Sequence, residues 1–449
     1  MSTRDTLTRF MDASPFAVMT RVLSHAFIGD HLDEVFEAHR GQQYERQAKF
    51  SAVAIAVADV TLQFSDNFNQ AYKTHAEKLN VSLQSFYGKI NSTSPGLSEA
   101  IVEKSARQAI EMQDQLDFEP WVVIPGYRCL SVDGNGIAKS DKRLGVLRNV
   151  KGAPLPGKVV ARFDLQRQIF DRAYLLVDAH AQESTTCDQI VDDLQEKDVI
   201  LGDRHYCIVS FLEGIATKHA AFVIRQHGRL KGVLQGKRKQ IGRIETGVVY
   251  EQGLKLSQSP DAMLVRRITI VLDKPTRDGD QEIHILSNLP SSINAKTIAK
   301  AYRHRWEEET AFNVLQMTLT CELSKVGHPQ AALFLFCISM LAFNLRQVVY
   351  AALFATHSVE EVEQVSHFHI SKEVADHTKG MLVAISVTEW REAIPGTSVG
   401  VAKMLKAIAG KIDLKKYRKA TRGPKKKKPH RSRNVASSHI STAKLLNLV

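Results

Sequence analysis

At 449 residues and 44% hydrophobic content, the chain is long enough for two or three domains with packed cores. Its five cysteines (129, 187, 207, 321 and 337) include no Cys-x-x-Cys pair, and no His/Cys cluster has zinc spacing. A disulfide scaffold and a structural zinc site are therefore disfavoured, and reduced cytosolic thiols are expected. The net charge of +12 is uneven: Lys411 to Arg433 carries twelve Lys/Arg and one Asp, leaving the rest of the chain at 48 basic against 47 acidic residues.

Residues 1 to about 120 read as a helical N-terminal domain, with helical apolar spacing in Phe50 to Leu62 and Leu97 to Met112. Asp5 comes early and no apolar segment of leader type follows, so no signal peptide is expected. Between the two stretches, Ser82 stands in capping position before a short helix in Leu79 to Ile90. That segment reads equally as the recognition element of a helix-turn-helix or as an ordinary packed helix.

The core starts near Trp121. Leu130 and Val132 alternate as in a strand, and Asp133 is followed by the turn-like Gly134-Asn135-Gly136. Lys158 to Asp164 and Ile169 to Val177 read as strands joined by Leu165 to Gln168, and Ser184 to Leu194 as a helix. Before that helix, His180 and Glu183 suit either an approach to DNA or a turn with a helix cap. The apolar run Val199 to Gly202 ends on Asp203; a helix over Cys207 to Thr217 and a strand over Ala220 to Arg225 follow. Three hairpin-like strands followed by alternating helix and strand is the order of a ribonuclease H-like α/β fold. A carboxylate just past a strand sits where sites collect in such folds. Taken singly, though, each of the two aspartates reads as a turn or strand-end residue.

Residues 229 to 284 read as a β-rich insertion, with runs at Gly247 to Glu251, Leu264 to Leu272 and Glu282 to Leu286. The surrounding Arg225 to Arg243 has seven Lys/Arg and no acid, a second basic patch. A helix begins near Asn294. Within its stretch Ala299 to Glu309, Tyr302, Arg305 and Glu309 fall within roughly 60° of one another at about 100° per residue. A hydroxyl, a guanidinium and a carboxylate on one face make a phosphate grip beside a potential metal ligand. The same wheel puts Glu308 beside the apolar stripe of Ala301, Phe312 and Leu319, so periodicity alone leaves Glu308 open as the ligand. Trp306 suits stacking on a base or wedging the helix into the core. Ala331 to Leu345 reads as a buried core helix, too short for a membrane span. Residues 351 to 410 read as a small helical C-terminal region and 411 to 449 as a basic tail. The tail's Lys425, Lys426, Lys427 and Lys428 are candidate DNA contacts.

Asp-Gly after a strand, Asp-Arg after a second strand, then Tyr-x2-Arg-x3-Glu on a helix resembles the DDE transposases of the insertion-sequence-four type. Ala301 to Glu309, including Trp306 directly after Arg305, carries most of the likeness, and Ala342 to Arg346 fits its distal part. The separations of 70 and 106 residues between Asp133, Asp203 and Glu309 suit it. One position departs: the family pattern expects Lys where this chain has Gln316. The motif register selects Glu309 over Glu308.

The resemblance implies a ribonuclease H-like catalytic core over 121–228 and 285–350, interrupted by the insertion. It implies Asp133, Asp203 and Glu309 as catalytic ligands of two Mg²⁺ or Mn²⁺ ions, with Tyr302, Arg305 and Gln316 on a DNA phosphate. Three carboxylates can hold two such cations about 3.5–4 Å apart for phosphodiester exchange. The expected activity is cleavage at insertion-sequence ends and strand transfer into target DNA, cut-and-paste, by a homodimer on double-stranded DNA. No membrane partner is expected, and the setting is a bacterial cytoplasm at the nucleoid. Two alternatives stand: an idle or domesticated DNA-binding protein, and a ribonuclease H-like nuclease without strand transfer.

Overall fold

The computed structural model describes residues 3–29, 31–41, 48–276, 279–420, 423 and 439–449. Lys425 to Lys428 lie outside them. The first helices are α1 (Thr3–Ala13), α2 (Pro15–Phe27), α3 (His31–His39) and α4 (Phe50–Thr61). They continue as α5 (Phe68–Leu79), α6 (Leu83–Asn91) and α7 (Pro95–Gln115). Caps define several boundaries. Asn67, Ser82 and Ser94 each accept a backbone N–H of the following first turn, and α5 ends on Asn80 in the left-handed region. Ser82 is thus the expected cap. Phe86 and Ile90 of α6 point inward, while Gln84, Ser85 and Tyr87 are exposed.

The strands are β1 (Arg128–Gly136), β2 (Ala153–Leu155), β3 (Lys158–Asp164) and β4 (Ile169–Leu176). After α8 (Cys187–Asp192) come β5 (Asp198–Gly202), α9 (Val209–Thr217) and β6 (Ala221–Arg225). Next are β7 (Val233–Ile244), β8 (Gly247–Lys255), β9 (Leu264–Leu272) and β10 (Glu282–Ser287). All of these strands but β2 form a nine-stranded mixed sheet in the order β4-β3-β1-β5-β6-β10-β9-β8-β7. β1 is antiparallel to β3 but parallel to β5, which is parallel to β6. The strands of the β-rich stretch do not stand apart: β10 pairs with β6, so β7 to β10 extend the same sheet.

Two local expectations differ from the structure. The turn expected at Gly134 to Gly136 is strand: β1 stays paired with β3 as far as Gly136 and Lys158. A Cβ on Gly134 would overlap the carboxyl group of Glu183, so glycine here admits a side chain across the strand rather than turning the chain. The single helix expected through Tyr302 and Glu309 is two, α10 (Ala295–His304) and α11 (Trp306–Thr318). Around the break, Arg305 N bonds Tyr302 O and Glu308 N bonds Arg305 O, both at 3.3 Å. These i to i+3 bonds tighten the turn locally, which a uniform wheel does not capture.

α12 (Pro329–Phe354) is long and apolar enough to cross a membrane by length and composition, but 94% of its most apolar window is buried inside the fold. It is the core helix the sequence indicates, extended at both ends. Its polar residues are specifically used. Asn344 Oδ1 accepts Phe170 N–H at 2.9 Å and its Nδ2 donates to Phe170 O at 2.8 Å and Ser105 Oγ at 3.0 Å. One side chain thereby satisfies the outer backbone groups of edge strand β4. Arg346 Nη1 donates to Thr318 Oγ1 at 2.7 Å, tying the end of α11 to α12.

The C-terminal helices are α13 (Val359–Glu363), α14 (His367–Ala384), α15 (Val387–Ala393) and α16 (Ser398–Ala409). Described residues on either side of Lys425 to Lys428 are packed. Leu414 is buried and Tyr417 packs edge-on against Phe16. Beyond the stretch, β11 (His439–Ser441) pairs with β2, leading into α17 (Thr442–Leu445).

Candidate active site

The register of β1 against β5 pairs Val132 with Gly202. Asp133 and Asp203 are the next residues on two parallel neighbours, so both emerge at the C-terminal end of this strand pair. α11 brings the third element. Arg305 Nη2 donates to Glu309 Oε1 at 2.8 Å and Nη1 to Asp133 Oδ2 at 3.3 Å. Its side chain is only 10% exposed, against 22% for Asp133 and 49% for Glu309. The structure thus brings Asp133, Arg305 and Glu309 into direct contact.

Burial, and then the charges of Asp203 and Glu309, push Asp133 up to about 6 against the pull of Arg305 and the Gly134 N–H. Burial opposes the charge on Arg305, but Tyr302, Asp133 and Glu309 outweigh it and raise its pKa. Tyr302 is raised by burial, with Arg305 opposing. The Arg305 Nε is buried with no hydrogen-bond partner.

Asp203 is committed locally as well. Its Oδ1 accepts His205 N–H at 2.7 Å, capping the turn Arg204–Tyr206, and its Oδ2 lies 2.7 Å from His205 Nδ1. Gln316 is exposed on the same side of the fold as Asp133. Its Nε2 donates to Asn135 Oδ1 at 3.4 Å, two residues beyond that acid. Trp306 is 60% exposed, so the core-wedge reading fails and its indole faces outward at the start of α11. Glu183 lies 3.6 Å from Lys158 Nζ, and His180 is exposed in the preceding turn.

Glu308 is the neighbour of Glu309 that periodicity left open. It is 0% exposed, and its carboxyl lies beside the Ser131 hydroxyl and the Asp133 backbone. Neither contact reaches hydrogen-bond geometry, leaving both oxygens without a partner. Burial, then Asp133, raises its pKa well above the ordinary value. Asn135 and His205 went unnoticed in the sequence, which offers no periodic signal for either.

The donor set is all hard oxygen, which suits Mg²⁺ or Mn²⁺. Arg305 already places a cation between two of its members. Among the described residues, however, no three His, Cys, Asp or Glu side chains stand close enough to chelate one ion. Arg305 bonds one oxygen of Asp133 and one of Glu309, so metal binding by this set needs the three carboxylates to draw closer than they stand here.

Residues 157–345 match the transposase DDE domain family. The match supports a DDE transposase as the general class. It covers less than half of the chain and contains Asp203, Tyr302, Arg305 and Glu309, while Asp133 precedes it. No curated protein matches the chain. Among solved structures, a piggyBac transposase synaptic complex with hairpin DNA is similar at 10% identity. Its TM-score is 0.40, over 88% of this chain and 76% of that one.

Proposed function

We propose that the protein is a cut-and-paste DNA transposase of the insertion-sequence-four type, acting as a homodimer that pairs two element ends in a bacterial cytoplasm. The strand order β4-β3-β1-β5-β6, antiparallel on one side of β1 and parallel on the other, supports a ribonuclease H-like core. The observation that carries the reading is Arg305, shared between Asp133 and Glu309 beside the strand end that also delivers Asp203.

Asp133, Asp203 and Glu309 would hold Mg²⁺ or Mn²⁺. When bound, such ions lower the charge barrier to exchange at a phosphodiester. Arg305 and Tyr302, side by side at this site, would hold a phosphate of the element end. Gln316 extends that contact toward Asn135 without adding charge. Trp306 offers an exposed face for a base. Water displaces the 3′ oxygen at the element end, leaving a free 3′ hydroxyl and a 5′ phosphate on the flank. That hydroxyl then attacks a target phosphodiester in line and releases the target's own 3′ oxygen, so no nucleotide cofactor is required. The basic stretches at 225–243 and 411–433 supply non-specific affinity for the backbone.

The test uses DNA bearing the inverted repeats that flank the coding region. Ala at Asp133, Asp203 or Glu309 is expected to abolish Mg²⁺-dependent cleavage while leaving end binding largely intact, because affinity resides in the basic side chains. Normal cleavage by these variants, or an absence of flanking repeats, overturns the proposal. A joining assay with pre-cleaved ends separates it from a nuclease that lacks strand transfer.

A further inference from the structure

The helices outside the sheet line a partly open cavity of about 810 Å³, formed by α2, α4, α5, α14 and α15. None of the candidate active-site residues lines it. Its charged lining includes Arg21, Asp59, His75, Glu77, Lys78 and Arg391. Asp59 is engaged, its Oδ2 lying 2.7 Å from His75 Nε2. Arg21 stacks over Trp390, with its guanidinium carbon 6.0 Å from the ring centroid, and its Nε is buried without a hydrogen-bond partner. Among the described residues, no carboxylate lies within ion-pair distance of Arg21, Lys78 or Arg391.

Three cations, none of them in an ion pair, thus face one opening that also carries two acids, Asp59 held by His75 and Glu77 exposed. Burial lowers the Lys78 pKa first, and Arg21 and Arg391 lower it further, so they act on the same space. Burial likewise lowers Arg21, with Asp59 opposing. Such a convergence is unfavourable in the protein alone and is relieved by an anion. Guanidinium forks match phosphate oxygens in pairs, and an ammonium adds a point charge. The volume lies within the roughly 300–1,000 Å³ of small-molecule sites.

We propose that this cavity binds a phosphate-bearing anion, gripped by Arg21 in the wall and by Lys78 and Arg391 at the rim. The phosphate belongs either to a free phosphorylated compound of nucleotide size or to the DNA backbone.

The probe is inorganic pyrophosphate, titrated calorimetrically into the full chain in metal-free buffer at fixed ionic strength. Saturable binding is expected, weakened about tenfold or more in Arg21→Gln and in Arg391→Gln, as loss of a charge-assisted pair implies. Arg391 is exposed, so its variant remains informative if Arg21→Gln does not fold. Displacement of pyrophosphate by duplex DNA would assign the phosphate to the backbone. Persistence in saturating duplex would assign it to a free compound. No saturable binding, or affinity unchanged in both variants, overturns the proposal.

Discussion

Glu308→Gln is expected to stabilise the metal-free protein at neutral pH, although it alters a residue beside the candidate active site. Glu308 is fully buried next to Asp133, with both carboxyl oxygens unpartnered. Its pKa is raised above that of an unfolded carboxyl, about 4.3, chiefly by burial and then by Asp133. The folded state therefore binds more protons than the unfolded state above that pH, and stability falls as pH rises. The cost is about 1.4 kcal/mol per pH unit until the folded group ionises. The amide has no such slope. Asp133, pushed up to about 6, adds a slope between roughly pH 4 and 6, but it is present in both proteins and cancels. Urea denaturation from pH 4 to 8 in EDTA is expected to give nearly equal stabilities at pH 4 and a widening advantage for the variant above it. Parallel curves would mean that Glu308 ionises freely, refuting its burial. A second arm adds Ca²⁺, which is expected to stabilise Glu308→Gln and to lose its effect on Glu309→Gln. The opposite result would transfer the ligand role to Glu308.

Gln316→Lys is expected to tighten end-complex formation and steepen its salt dependence, because a charge would join the contact now made to Asn135. Gel shift across a salt series in Ca²⁺ reads this, and no gain in assembly would mean that Gln316 faces away from the phosphate. Replacing Lys425, Lys426, Lys427 and Lys428 by Gln is expected to weaken non-specific DNA binding and flatten its log–log salt slope by up to about four phosphate contacts' worth, leaving end-sequence preference intact. Loss of that preference in competition binding would contradict a purely electrostatic role. Asn344→Leu is expected to cost several kcal/mol in urea denaturation, since both Phe170 backbone groups lose a buried partner at about 1–3 kcal/mol each. A near-neutral change would mean that β4 finds other partners.

The sequence by itself determined the elements whose signals are local. The strand over Lys158 to Asp164 carries the apolar run Val159 to Ala161 and then Phe163, Ser82 announces its helix by a cap bond, and the apolar density around Leu341 marks a buried helix. It also set Tyr302, Arg305 and Glu309 in order, because their spacing lies within one short stretch. What it could not decide depends on contacts across long separations. Gly134 reads as a turn until Glu183 is seen to cross it, and nothing local in β7 to β10 tells that β10 pairs with β6 and so extends the central sheet. Glu308 and Glu309 are neighbours in the chain with similar chemistry. Only the packing of α11 on β1 buries one against Ser131 and leaves the other half-exposed on Arg305, for burial is a property of what lies opposite a side chain and not of its own position in the chain.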